Sequence, residues 1–173
     1  MRDAFDVLGL QPRFDIDDTE LERVVRQLLA ELHPNRSCNA ESQSDDGVLF
    51  AKQGEINQAC SQLRDPTTRA ELLMVRRSES WAGQPSPALL ARIFQQREAV
   101  EQALTRRDSV ALSDCVCAAR ARQAELVSVL TAHFSADARQ GVEKPNDIAL
   151  VLQELKYLDK MVKRGQPALD DFE

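Results

Sequence analysis

The sequence predicts an all-α protein in two parts, a helical hairpin domain followed by a three-helix bundle. Leu, Ala, Glu, Gln and Arg, the strong helix formers, dominate its 173 residues, whereas glycine and proline number only six and seven. Apolar residues recur at three-to-four spacing in successive stretches, the period of an amphipathic helix. The run Gly83-Gln84-Pro85-Ser86-Pro87 interrupts them and reads as a hinge. A chain of this length can bury one ordinary core or two small ones. The expected division is residues 1–75, a linker at 76–87, and residues 88–173.

Residues 3–9 form a short helix closed by Gly9, with Pro12 in the loop beyond. Asp17-Asp18-Thr19-Glu20 supplies a capping group and acidic first-turn residues for the next helix. Its apolar face is Leu21, Val24, Val25, Leu28, Leu29 and Leu32, about four turns ending near His33. Pro34 cannot continue it, and a polar loop runs from Pro34 to Gly47. A second long helix, about Asp45 to Leu63, buries Leu49, Ile56, Ala59, Cys60 and Leu63 and stops at Asp65-Pro66. A shorter one, Thr67 to Glu79, carries Leu72, Leu73 and Val75.

Beyond the hinge, Leu89, Ile93, Val100 and Leu104 share one sector of a helix at about 100° per residue, and Leu90, Phe94 and Glu98 form a second stripe beside it. One stripe faces the core; the other either faces outward or widens the bundle. Leu112, Val116, Ala119, Leu126, Leu130 and Phe134 mark the inner face of the next helix, and Ile148, Val151, Leu152, Leu155 and Val162 that of the last. His133, at the tail of its helix, is expected to be exposed or to serve the helix dipole. Tyr157, two residues after Leu155 and so nearly opposite it, is expected to be exposed.

Residues 1–75 hold eight Lys and Arg against 14 Asp and Glu, and residues 76–173 hold 14 of each, for a net charge of −6. An acidic half beside a neutral one argues against nucleic acid or an anionic membrane as the main partner. No apolar run reaches the roughly 18 residues of a spanning helix, and the start carries no basic-then-apolar leader, so a soluble, unprocessed chain is expected. Cys38, Cys60, Cys115 and Cys117 then read as reduced thiols and the location as cytoplasmic. Cys115 and Cys117 lie about 200° apart on a helix and cannot share one ion, and no CxxC pair exists, so neither metal nor cofactor is expected. Two histidines, no phosphate loop and no nucleophile motif argue against an enzyme.

The tripeptide His33-Pro34-Asn35, between two amphipathic helices, resembles the His-Pro-Asp loop of J-domains. Phe5-Asp6-Val7-Leu8-Gly9-Leu10, Ile56-Asn57-Gln58-Ala59, Leu63-Arg64-Asp65-Pro66, Arg69-Ala70-Glu71-Leu72-Leu73, Tyr157-Leu158-Asp159-Lys160 and the closing Asp170-Asp171-Phe172 extend the likeness over nearly the whole chain. In order and spacing they resemble the HscB co-chaperones of iron–sulfur cluster assembly. The resemblance implies an N-terminal J-domain whose His33, Pro34 and Asn35, with Arg23 and Arg26 on the preceding helix, meet a DnaK- or HscA-type chaperone. It also implies a C-terminal bundle whose Leu90, Phe94, Glu98 and Tyr157 hold an IscU-type scaffold protein.

The chain departs from that pattern in three places. Asn35 stands where the family carries Asp, which removes a charge available to an arginine of the chaperone. Glu20, Glu22 and Glu31 dilute the basic face of Arg23 and Arg26. Ala91, Gln95 and Gln102 occupy positions where the family tends to place further acidic or apolar contacts. Two readings stand side by side: an adaptor that links chaperone to scaffold, and a degenerate J-protein that no longer stimulates ATP hydrolysis and acts as a scaffold-binding or oligomeric module.

Overall fold

The structure is a computed structural model that describes residues 2–32, 45–77, 85–135 and 145–172. Among the described residues every regular element is a helix: α1 (Ala4–Leu8), α2 (Asp18–Leu32), α3 (Asp45–Arg64), α4 (Pro66–Arg76), α5 (Pro87–Arg106), α6 (Ser109–Phe134) and α7 (Pro145–Asp170). The chain divides into two compact units, Met1–Arg77 and Ser78–Glu173.

In the first unit, local chemistry sets the helix ends. Asp3 accepts from the amides of Phe5 and Asp6 at 3.0 and 3.2 Å, and Asp6 accepts in return from the Asp3 amide, so both ends of a capping box are made. Gly9 closes α1 at φ 64°, a left-handed conformation that costs glycine nothing. Asp65 both ends α3 and caps α4, accepting from Thr67 and Thr68, while Pro66 occupies the first helical turn. Helices α2 and α3 pack together and run antiparallel, since Arg64 at the end of α3 reaches Asp18 and Glu22 at the start of α2.

Phe5, Leu8, Phe14, Ile16, Leu21, Ile56, Ala59, Leu63, Ala70, Leu73 and Met74 form the core of this unit. Two arginines fasten its periphery. The buried Arg69 donates to the carbonyl oxygen of Ile16 at 3.0 Å and lies over the Phe14 ring, and burial holds its pKa below the usual arginine value. Arg76 of α4 grips Asp3 and Asp6 of α1, which lowers both carboxyl pKa values, chiefly through those hydrogen bonds. The apolar stripe of α4 differs from expectation: Met74 is fully buried and Val75 is 65% exposed. Met74 lies four residues after buried Ala70 and so continues its row, whereas Val75 is turned away by about 100°. Leu49 and Cys60 of α3 are only half-buried, and residues 78 and 79, expected in α4, lie outside the described residues.

The second unit is a three-helix bundle. Ser86 caps α5 and Pro87 opens it, so the end of the expected hinge belongs to the helix. Arg107 and Asp108 make the whole turn into α6, with Asp108 accepting from the Ala111 amide. Leu89, Val100, Ala103, Leu112, Val116, Ala119, Leu126, Leu130, Phe134, Ile148, Leu152, Leu155, Leu158 and Met161 fill the core. Ile93 and Leu104 lie at its edge, half-buried. Helices α6 and α7 approach so closely at Gly165 that a Cβ there would stand 2.7 Å from Cγ2 of Val116. Helix α7 continues through Pro167 to Asp170, past the last apolar residue the spacing identified.

His133 is buried, which overturns the exposed alternative, while its place in the last turn of α6 is that of the helix-dipole one; its ring meets Phe134 edge-on. It follows Leu126 by seven residues and Leu130 by three, and so continues their buried row. Glu154 of α7 is also buried and ties the bundle together: Arg122 of α6 donates to it at 2.9 Å and Arg92 of α5 meets it at 2.7 Å. That pairing raises the Arg122 pKa, first through its hydrogen bond to Glu154.

Candidate functional site

Two surfaces follow from the sequence. On the first, His33, Pro34 and Asn35 lie outside the described residues, as does Cys38. The helix before them is described, and Arg23 and Arg26 are both exposed on α2. The neighbouring acids are less free than their sequence positions suggest: Glu20 pairs with Arg13, Glu22 with Arg64, and Glu31 accepts from Gln27. Arg13 and Arg64 therefore offset part of the acidity beside Arg23 and Arg26, a compensation visible only once α3 and the segment before α2 are folded against α2.

The second surface is built on α5. Leu89 and Val100 point inward with 6% and 3% exposure, while Leu90 and Phe94 are 38% and 63% exposed. With Glu98, also exposed, they form one row at a spacing of four along the helix. The second stripe thus faces away from the core. A phenylalanine so exposed leaves a large apolar area in water, the usual mark of a contact surface. Glu98 accepts from Gln102 at 3.3 Å, which steadies its carboxylate without burying it.

Tyr157 does not stand free beside this row. Its ring is half-buried, and its hydroxyl donates to the carbonyl oxygen of Ile93 at 2.9 Å. Burial raises the phenol pKa, and Arg97 and Glu101 act on it in opposite directions. Helix α7 packs against both α5 and α6, so its buried arc is too wide for the rule that a residue opposite Leu155 must face solvent. What remains of the Tyr157 surface borders the α5 row.

Among the described residues no group of three or more His, Cys, Asp or Glu side chains could hold a metal ion. Cys60 and Cys115 are half-buried, Cys117 is exposed, and burial raises the Cys115 thiol pKa. No described helix is long and apolar enough to cross a membrane.

Comparison with known proteins follows the same division. Residues 85–164, from the turn before α5 to the outer part of α7, match the family model for the HSCB C-terminal oligomerisation domain. A co-chaperone protein HscB homolog of Bordetella petrii is 35% identical over 114 residues, 64% of this chain and 65%, just under two thirds, of that relative's length. The corresponding homolog of Aliivibrio salmonicida is 28% identical over 164 residues, 90% of this chain and 95% of that one. The chaperone HscB from Vibrio cholerae superimposes with a TM-score of 0.76 at 22% identity, over 99% of this chain and 100% of that one, and so shares the fold. With the family domain matching most of the bundle and one homolog aligned along 90% of the chain, this chain is similar to the HscB co-chaperones in sequence and in fold.

Proposed function

We propose that the chain is an adaptor that brings an IscU-type iron–sulfur scaffold protein to a DnaK- or HscA-type chaperone in the cytoplasm. The observation that carries this reading is the exposed row Leu90, Phe94 and Glu98 on α5, bordered by Tyr157, within the domain the family shares. That row is the scaffold-binding surface. Residues 1–75 are the J-like domain, and His33, Pro34 and Asn35, with the exposed Arg23 and Arg26, are its chaperone contact. Residues 76–87 join it to the scaffold-binding domain at 88–173.

Mechanistically, one chain holding both partners converts their meeting into an intramolecular event, at effective concentrations of order millimolar for a short connection. The chaperone performs the ATP hydrolysis, and this chain supplies no catalytic group. Asn35 keeps a hydrogen-bonding oxygen but not the charge of an aspartate, so its contact with an arginine is weaker than a charge-assisted one.

The test is steady-state ATP turnover by the cognate chaperone with scaffold present. The native chain raises turnover, His33→Gln abolishes the rise, and Asn35→Asp enlarges it. Stimulation by Asn35→Asp alone would make the chain a scaffold binder that no longer drives the chaperone. No stimulation by either, together with no scaffold recovered in a pull-down, would remove the adaptor reading.

A further inference from the structure

Beside the α5 row, the bundle carries a cavity of about 220 Å³ between α5 and α7. Arg97, Val100 and Glu101 line it from α5, and Tyr157, Lys160, Met161 and Arg164 from α7. Val100 and Met161 are the buried, apolar part of this wall. The polar part holds three cations and one carboxylate, and that carboxylate is already engaged: Arg164 meets the two oxygens of Glu101 at 2.7 and 2.9 Å. Arg97 and Lys160 make no ion pair among the described residues. In a chain of net charge −6, the cavity is a local site of positive potential.

The cavity is continuous with the proposed scaffold surface. Tyr157 belongs to both, and Arg97 follows Phe94 by three residues, one turn along α5. A partner seated on Leu90 and Phe94 therefore lies over the cavity. An apolar wall under two cations without ion pairs suits a carboxylate on a short aliphatic stem, as in glutamate or aspartate.

We propose that this cavity receives an acidic side chain of the scaffold protein, its carboxylate held by Lys160 and Arg97 and its methylenes laid against Val100 and Met161. The assignment rests on the function proposed above and adds Lys160 as a specificity-determining residue. Arg164, paired with Glu101, is a positioning residue that shapes the wall. Charge selection of this kind acts on partner choice and association rate more than on raw affinity.

The experiment is calorimetric titration of the full chain with purified scaffold protein at low and high salt, using native, Phe94→Ala, Lys160→Gln and Lys160→Glu chains. Lys160 is exposed, so its variants should keep the native far-ultraviolet circular dichroism. Lys160→Glu is expected to weaken binding by about tenfold or more, because it sets like charges face to face, and Lys160→Gln by less, with a shallower salt dependence for both. Reversing one acidic residue of the scaffold to lysine should restore binding to Lys160→Glu. If Phe94→Ala abolishes binding while Lys160→Glu stays within about twofold of native, the cavity assignment is overturned and the adaptor reading stands. No binding by the native chain would overturn both. Self-association of the chain that Lys160→Glu abolishes would identify a second copy as the occupant and also overturn the proposal.

Discussion

The hydroxyl of Tyr157 on α7 donates to the main-chain carbonyl oxygen of Ile93 on α5, 2.9 Å away, one residue before the exposed Phe94. The ring thus links the bundle to the base of the proposed scaffold surface. Removing the hydroxyl in Tyr157→Phe should lower stability by about 1 kcal/mol, the usual net worth of one such bond, and leave the ring in place. Removing the ring in Tyr157→Ala should cost about 3 kcal/mol and also weaken scaffold binding. Urea unfolding with parallel binding titrations checks both; equal binding losses for the two variants would contradict the distinction.

The close approach of α6 and α7 sets a second expectation. Alanine at a helical glycine ordinarily gains about 1 kcal/mol in propensity. At Gly165 the added methyl would meet Cγ2 of Val116 at 2.7 Å, and Val116 is buried and β-branched, with little freedom to turn aside. Overpacking of this kind costs about 1 to 3 kcal/mol, so Gly165→Ala should be net destabilising. Adding Val116→Ala should recover part of the loss, and a double-mutant cycle of unfolding free energies measures that coupling.

The grip of Arg76 on Asp3 and Asp6 predicts a pH dependence. Both carboxyls have folded-state pKa values lowered below 3.8, so their contribution is fully present above that value and is lost as pH falls through the lowered ones. Asp3→Asn keeps an oxygen to cap α1 but removes the charge that Arg76 grips, and should reduce stability by up to about 1 kcal/mol near neutral pH. The gap to the native chain should close as pH drops below 3.8. Urea midpoints of the two proteins across that range test it, and a gap independent of pH would contradict it.

The helices were legible where their ends are written in local chemistry, as at Gly9 after α1 and Asp65-Pro66 between α3 and α4, whereas Ser86-Pro87 read as hinge although Ser86 caps α5 and Pro87 opens it. The outward row of Leu90 and Phe94 could be set apart from Leu89 and Val100 by angle alone, although the sequence left open which stripe faced solvent. Side chains governed by more than one neighbour were misplaced. Tyr157 was expected in water because it was judged against the one face of Leu155, whereas α7 contacts two other helices; His133 was judged from its terminal position alone, which does not show that it continues the buried row of α6. The cavity gave no sequence signal at all, since Arg97 and Lys160 are 63 positions apart and meet only when α5 and α7 run side by side.

Glu154 fixes more than the packing of three helices. A buried carboxylate must be satisfied, and this one draws Arg92 from α5 and Arg122 from α6 at once. Arg92 lies between Leu90 and Phe94 in sequence, so satisfying Glu154 admits one rotational setting of α5 and aims both apolar side chains outward before any partner arrives. If the row is the scaffold surface proposed above, its recognition is lock-and-key: the entropy of aligning the contact residues is lost during folding, and association leaves only their side-chain tips to settle.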